Sequence, residues 1–185
     1  DLWQSTEAEV AAVAPLPPRH IPLAGRPTLV ISLPGSGPTL LFNAHSDVVP
    51  APDEAAWTSP PFLASVREGH MFGRGACDTL GPLVSALWAM LALRDRAADS
   101  RPTVLLEIIP GEEDCVGLGT LTSVARGYRA DAAVILEPTD GVPRCASRGG
   151  CRFEISITGR AIHGTVKWLG VDAIGIARRV LDALE

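Results

Sequence analysis

A short apolar run that stops at two adjacent carboxylates constrains this 185-residue chain more than any other stretch. Residues 103–120 read T-V-L-L-E-I-I-P-G-E-E-D-C-V-G-L-G-T. Val104, Leu105, Leu106, Ile108 and Ile109 are too few to span a membrane and rich in β-branched types, so the run reads as a buried strand of a mostly parallel sheet. Pro110 and Gly111 end it. Glu112 and Glu113 then stand side by side just past buried backbone, where they repel each other and lose solvation. A fold that keeps them there needs a compensating cation or a raised pKa. The other reading is a solvated acidic turn, and the rest of the chain has to decide between the two.

With 46% hydrophobic and 20% charged residues the chain is folded rather than disordered, and its length suggests one domain or little more. The net charge of -5, with no basic run, argues against nucleic-acid and anionic-membrane partners. No run reaches the length of a membrane span, and the first ten residues are acidic, unlike a secretion leader, which together imply a soluble protein. Cys77, Cys115, Cys145 and Cys151 are irregularly spaced with no C-x-x-C pair. That is neither a zinc-finger framework nor a disulfide scaffold, so reduced thiols in a cytoplasmic protein are expected, with one disulfide left open.

Residues 1–13 have weak helical character, and P-L-P-P-R-H-I-P after them is a stiff extended connector. No helix cap or first strand stands out there, which suggests that the polypeptide begins partway through a domain. Residues 29–33 and 39–43 read as strands, the second ending in Ala44-His45-Ser46-Asp47. The W-T-S-P-P-F segment is loop. Gly73-Arg74-Gly75-Ala76-Cys77-Asp78 is a glycine-rich turn that delivers one acid before a helix starting near Gly81-Pro82. That helix is apolar almost all round, so it is expected to be covered on more than one face. Another helix is expected over 117–126, and 132–136 reads as a third buried strand, ending in Glu137-Pro138. Strands separated by helices point to an α/β fold. Near Ser147 the pattern changes. Residues 151–158 alternate like a half-exposed antiparallel strand, with Phe153, Ile155 and Ile157 on one face. Residues 172–184 form an amphipathic helix with Ile174, Ala177, Val180, Leu181 and Leu184 on its buried side. The expected division is therefore 1–147, a metal-binding domain with an incomplete N-terminus, and 148–185, the opening of a second domain whose remainder is absent.

Three apolar runs thus end in potential ligands: His45, the Glu112–Glu113 pair, and Glu137. In an open α/β sheet, ligands collect beyond the carboxyl ends of the strands, and Asp78 is a fourth candidate for that crevice. One histidine with several carboxylates suits zinc, with cobalt or manganese as substitutes. Singly these signals are weak: an Asp before a helix is most often a cap, Glu137 before Pro138 is an ordinary turn residue, and His-x-Asp recurs by chance. Jointly, at strand ends of one frame, they favour a metal site. A nucleotide-binding domain fits poorly, because its glycine loop follows the first strand, whereas Gly73 and Gly75 deliver Asp78.

H-S-D-V-V-P at 45–50, G-R-G-A-C-D at 73–78, P-G-E-E-D at 110–114, L-E-P-T at 136–139, and G-R-A-I-H-G with W-L-G-V-D-A-I across 159–174 resemble, in order, the signatures of a family of co-catalytic zinc hydrolases. That family includes acetylornithine deacetylase, succinyl-diaminopimelate desuccinylase, aminoacylase and carboxypeptidase G. The resemblance implies a zinc-exopeptidase-like, mostly parallel sheet flanked by helices, followed by the start of an inserted α+β dimerisation (lid) domain. It implies two zinc ions bridged by Asp78, one completed by His45 and Glu137, the other bound by Glu113. Glu112 would be the general base that takes a proton from the attacking water, Asp47 would sit behind His45 and fix its tautomer, and His163 would stabilise the tetrahedral oxyanion, in dimeric relatives from the neighbouring subunit. By sequence alone His163 is a turn residue, and His20 and His70 are surface residues. Two departures stand out. Leu80 occupies a position where relatives commonly have lysine, and the family's further metal-binding histidine near its C-terminus falls outside this chain. The expected activity is cleavage of an N-acyl amino acid or small peptide by a protein that is a homodimer when complete. The competing expectation is a non-catalytic homologue that binds a metal or a partner.

Overall fold

The computed structural model describes residues 1–13, 23–114, 117–149 and 154–184, which divide into two compact units, Asp1–Pro143 and Arg144–Glu185. The first unit is built on a five-stranded sheet in the order β1 (Leu2–Gln4), β2 (Pro27–Leu33), β6 (Thr103–Ile109), β3 (Thr39–His45), β7 (Ala132–Ile135). β3 lies parallel to β6 and to β7, whereas β2 is antiparallel to both β6 and β1. All strands but β2 therefore run the same way, the mostly parallel α/β arrangement that alternating apolar runs and helical stretches predict.

β6 takes the central place because it is the run that tolerates cover on both sides: Val104, Leu105, Leu106 and Ile109 are buried. On one face α2 (Gly81–Arg94) lays Ala86 and Met90 on Val104 and Leu106, with Ile31, Phe42 and Ile108 around them. Burying each of the larger side chains contributes about 1.5–3 kcal/mol. Side chains alternate along a strand, so Leu105, Glu107 and Ile109 face the opposite way. There α3 (Leu118–Ala125) comes so close that a Cβ on Gly119 would meet the Ile109 Cβ at 2.4 Å, and α1 (Glu7–Val13) packs beside α3. The β3–β6 register sets Asn43 opposite Glu107 and His45 opposite Ile109, so both strands end at one level.

Several expectations need correction. The N-terminal stretch does hold a strand, β1, and α1 is capped by Thr6 and Glu9: Thr6 N donates to the Glu9 carboxylate at 2.9 Å and Glu9 N to Thr6 Oγ1 at 3.2 Å. This is a capping box written in Thr6-Glu7-Ala8-Glu9. A hairpin of β4 (Ser65–Arg67) and β5 (His70–Phe72) was also not foreseen, because three-residue strands carry too little periodicity; its turn takes Glu68 and Gly69 to positive φ, 49° and 76°. β7 is exposed along its length rather than buried, since it pairs only with β3 and forms the sheet edge among the described residues. α2 buries one face only, through Leu83, Ala86 and Met90, while Val84, Trp88 and Leu91 are exposed. Residues 76–94 are long and apolar enough to cross a membrane, contrary to expectation. Here, however, the backbone is non-helical at Asp78 and Thr79 and α2 packs on the sheet.

In the second unit the strand expected over 151–158 lies partly outside the described residues; residues 154–158 are not in a strand, and Ile155 is exposed. A strand needs a partner, and the described residues of this unit offer only the bridge between Arg160 and Val171. The helix is present as α4 (Ala173–Asp182), capped by the Asp172 carboxylate, which accepts from Ile174 N and Gly175 N. Its apolar side is not buried: Ile174, Leu181 and Leu184 are exposed, because the unit supplies no surface for that face to pack on among its described residues.

Candidate metal centre

The three parallel strands β6, β3 and β7 are neighbours, so their carboxyl ends share one edge of the sheet. His45 is the last residue of β3, Glu112 and Glu113 follow β6 after a two-residue turn, and Glu137 follows β7. Ser46 N donates to Ile109 O at 2.8 Å, carrying the β3–β6 pairing past the end of the strand. Asp78 arrives from the turn before α2. Gly75 opens that turn at φ +80°, a conformation that side chains rarely adopt, and an added Cβ would also meet Val48 at 2.5 Å.

His45 is 1% exposed and hydrogen-bonded on both sides of its ring. Nδ1 donates to the Asp47 carbonyl at 2.7 Å and Nε2 meets Asp78 Oδ1 at 2.8 Å. A carbonyl can only accept, so Nδ1 carries a hydrogen and Nε2 is the nitrogen left to ligate. Burial pulls the His45 pKa down, but the hydrogen bonds to Asp78 and to the Asp47 carbonyl, with the charges of Asp78 and Glu137, more than offset this and raise it. Its backbone is pinned by buried Thr79, whose hydroxyl accepts from His45 N at 3.2 Å and donates to His45 O at 3.1 Å.

The Asp47 carboxylate is not the group behind the imidazole. Its nearest oxygen is 3.8 Å from Nδ1, and it instead accepts from Glu112 N at 3.3 Å and Glu113 N at 3.2 Å. Arg26 pairs with Asp114 and holds the same loop from its far end. The loop is therefore fixed with both glutamate side chains beside His45. Desolvation raises the Glu112 pKa and His45 lowers it, with Glu113, Asp47 and Asp78 raising it further. Glu137 is raised by desolvation and then by Asp78, Glu112 and Glu113, against His45.

Ligand atoms of His45, Asp78 and Glu113 lie within 4.8 Å of one another, and so do those of His45, Glu112 and Glu137. Every metal ligand anticipated from sequence thus falls in one cluster, although Glu112, expected as a base, stands at ligand range too. The carboxyls of Asp78, Glu112, Glu113 and Glu137 crowd one imidazole, a concentration of acids that bound protons or added cations would offset. An imidazole and carboxylate donor set fits zinc, manganese or cobalt. Thr79 and Asp47's grip on the loop were not foreseen from sequence; nothing in the sequence marks Thr79, since the contact depends on the shape of the turn.

The remaining candidates belong to other elements. His163 belongs to the second unit, where it caps a short 3-10 turn: Nδ1 accepts from Thr165 N at 3.3 Å and meets Thr165 Oγ1 at 2.8 Å. His70 is exposed on β5, and His20 is outside the described residues. Cys77 and Cys145 are exposed free thiols, while Cys115 and Cys151 are outside the described residues.

The profile of peptidase family M20/M25/M40 matches residues 41–174. A probable succinyl-diaminopimelate desuccinylase of Staphylococcus epidermidis is 33% identical over 153 residues, covering 82% of this chain and 38% of its own. The succinyl-diaminopimelate desuccinylase of Gluconacetobacter diazotrophicus is 35% identical over 149 residues, covering 76% of this chain and 38% of its own. The chain thus spans about 38% of the length of these curated relatives. Among solved structures, the di-peptidase Dug1p of Saccharomyces cerevisiae is similar over 65% of this chain and 27% of its own, with 28% identity and a TM-score of 0.51. Human carnosine dipeptidase 1 is similar over 59% of this chain and 25% of its own, with 28% identity and a TM-score of 0.50.

Proposed function

The chain belongs to the peptidase family M20/M25/M40, and from that membership we propose that it carries the metal-binding half of a zinc-dependent hydrolase that cleaves the amide bond of an N-acyl amino acid or small peptide. The observation that supports this most is the convergence of His45, Asp78, Glu112, Glu113 and Glu137 at one sheet edge, within 4.8 Å in each group of three. Asp78, which touches His45, would be the ligand shared between two ions, with His45 and Glu137 completing the set for one and Glu113 holding the other. Divalent ions, when bound, polarise the scissile carbonyl and make water a stronger acid.

Glu112 is assigned the proton transfer. Its carboxyl is held above the ordinary glutamate range by desolvation and by its acidic neighbours, which makes it a better proton acceptor once ionised and a competent donor to the leaving amine. The Asp47 carboxylate keeps the Glu112 and Glu113 amides in place and the Asp47 carbonyl keeps His45 in one tautomer, so one residue orients both sides of the site. His163 is assigned to oxyanion stabilisation, serving the site of a second subunit in a homodimer; its exposed position supports this.

The test is turnover of a panel of N-acyl amino acids and dipeptides with zinc, comparing wild type with Glu112→Gln. The variant is expected to keep the fold and the metal while losing about 100-fold or more in kcat. Normal turnover in Glu112→Gln, set in a chain of the relatives' full length, would remove the base assignment, and metal binding without turnover in that full-length wild type would favour a non-catalytic homologue.

A further inference from the structure

Glu107 is an acid in the middle of the central strand, 1% exposed, where an aliphatic residue would pack at lower cost. Its Oε2 accepts a hydrogen bond from Asn43 Nδ2 at 2.8 Å, and the same nitrogen donates to Thr120 Oγ1 at 3.1 Å. Burial raises the Glu107 pKa, so the carboxyl holds its proton more tightly than an exposed glutamate. The titratable groups that shift Glu112 and Glu137 are His45, Asp47, Asp78 and the other glutamates of the site. Glu107 is not among them; what links it to the site is the backbone that its hydrogen bond joins.

The network joins three pieces of backbone. Asn43 is two residues before His45 on β3, and directly opposite Glu107 in the register. Glu107 is on β6, which leads into the loop that carries Glu112 and Glu113. Thr120 is in the first turn of α3, into which the same loop runs. One pair of hydrogen bonds thus grips the strand that presents His45 and both anchors of the two-glutamate loop. The Gly119–Ile109 approach holds those anchors together one residue from Thr120 and two from Glu107, leaving little room for them to shift.

We propose that Glu107, Asn43 and Thr120 form a buried clamp that sets the Glu112–Glu113 loop against His45, which makes Glu107 a positioning residue of the metal centre. The proposal rests on the metal-dependent reading above, and its test separates the two. Glu107→Gln keeps an oxygen that accepts from Asn43, whereas Glu107→Leu keeps the bulk and removes the acceptor. In the metal-free protein, amide hydrogen exchange at Glu112 and Glu113 is expected to quicken about tenfold in Glu107→Leu and to stay near wild type in Glu107→Gln. Zinc titrated into the same proteins is expected to bind about tenfold more weakly to Glu107→Leu and to recover in Glu107→Gln. Should Glu107→Leu fail to fold, Thr120→Val against Thr120→Ser makes the same comparison at a half-buried site. Unchanged exchange in a folded Glu107→Leu would overturn the clamp. Equal losses in Glu107→Gln and Glu107→Leu would also overturn it, by assigning the effect to the acid itself rather than to the accepted hydrogen bond. A wild type that binds no zinc while its exchange responds as expected would leave the clamp standing and remove the metal reading.

Discussion

His45 makes hydrogen bonds through both ring nitrogens to groups that accept, and its neighbours are carboxyls packed closely enough to compete for protons. In the metal-free protein His45, Glu112 and Glu137 all hold protons more tightly folded than unfolded. A raised pKa contributes stability that is complete below the unfolded value and is lost as pH rises through the folded one. Melting in the presence of a chelator is therefore expected to fall as pH rises from the ordinary glutamate value of 4.5, and again above the ordinary histidine value of 6.5. Glu9, whose pKa is lowered chiefly by its hydrogen bond to the Thr6 backbone, acts in the opposite sense, and only at acid pH. Zinc bound at the proposed site would take the place of these protons, so its affinity is expected to rise over the range in which the metal-free protein weakens. A melting temperature that climbs with pH above 6.5 in chelator would contradict the charge state drawn for His45.

At the scale of elements, the site is a consequence of which strands lie side by side. β6, β3 and β7 run parallel and end together, so residues spread from His45 to Glu137 arrive at one edge. Their level is fixed by the register of the strands, and α3 closes on β6 at Gly119. Gly119→Ala sets a methyl 2.4 Å from the Ile109 Cβ, so α3 must move. The expected cost is about 1–3 kcal/mol in denaturant unfolding, together with weaker metal binding because α3 anchors the two-glutamate loop. A variant as stable as wild type, with unchanged zinc affinity, would show that α3 does not set the position of that loop. The exposed stripe of Val84, Trp88 and Leu91 on α2 has no such structural consequence within the unit.

For the whole molecule, the legible part of the sequence was the part where burial and periodicity coincide. Val104 to Ile109 announced the central strand, and the ends of three apolar runs announced the sheet edge where His45, Glu112, Glu113 and Glu137 stand. The illegible part depended on neighbours. Nothing in Ala132–Ile135 distinguishes an edge strand from a buried one, since both are apolar and only the pairing partner differs. The apolar side of α4 was correctly marked as amphipathic, yet burial needs a second surface that its unit does not present among the described residues. Three-residue strands such as β1, β4 and β5 are too short for any alternation to show. The place of Asp47 beside His45 came from the family resemblance, which cannot say whether a carbonyl or a carboxylate faces the ring. The proposed centre for divalent metal is built around Asp78 and His45. The most direct measurement is zinc content by mass spectrometry of the purified 185-residue protein beside Asp78→Ala. Tightly held zinc is expected in the wild type, with its loss in a folded Asp78→Ala. Equal metal content in the two proteins, or none in a folded wild type, would contradict it.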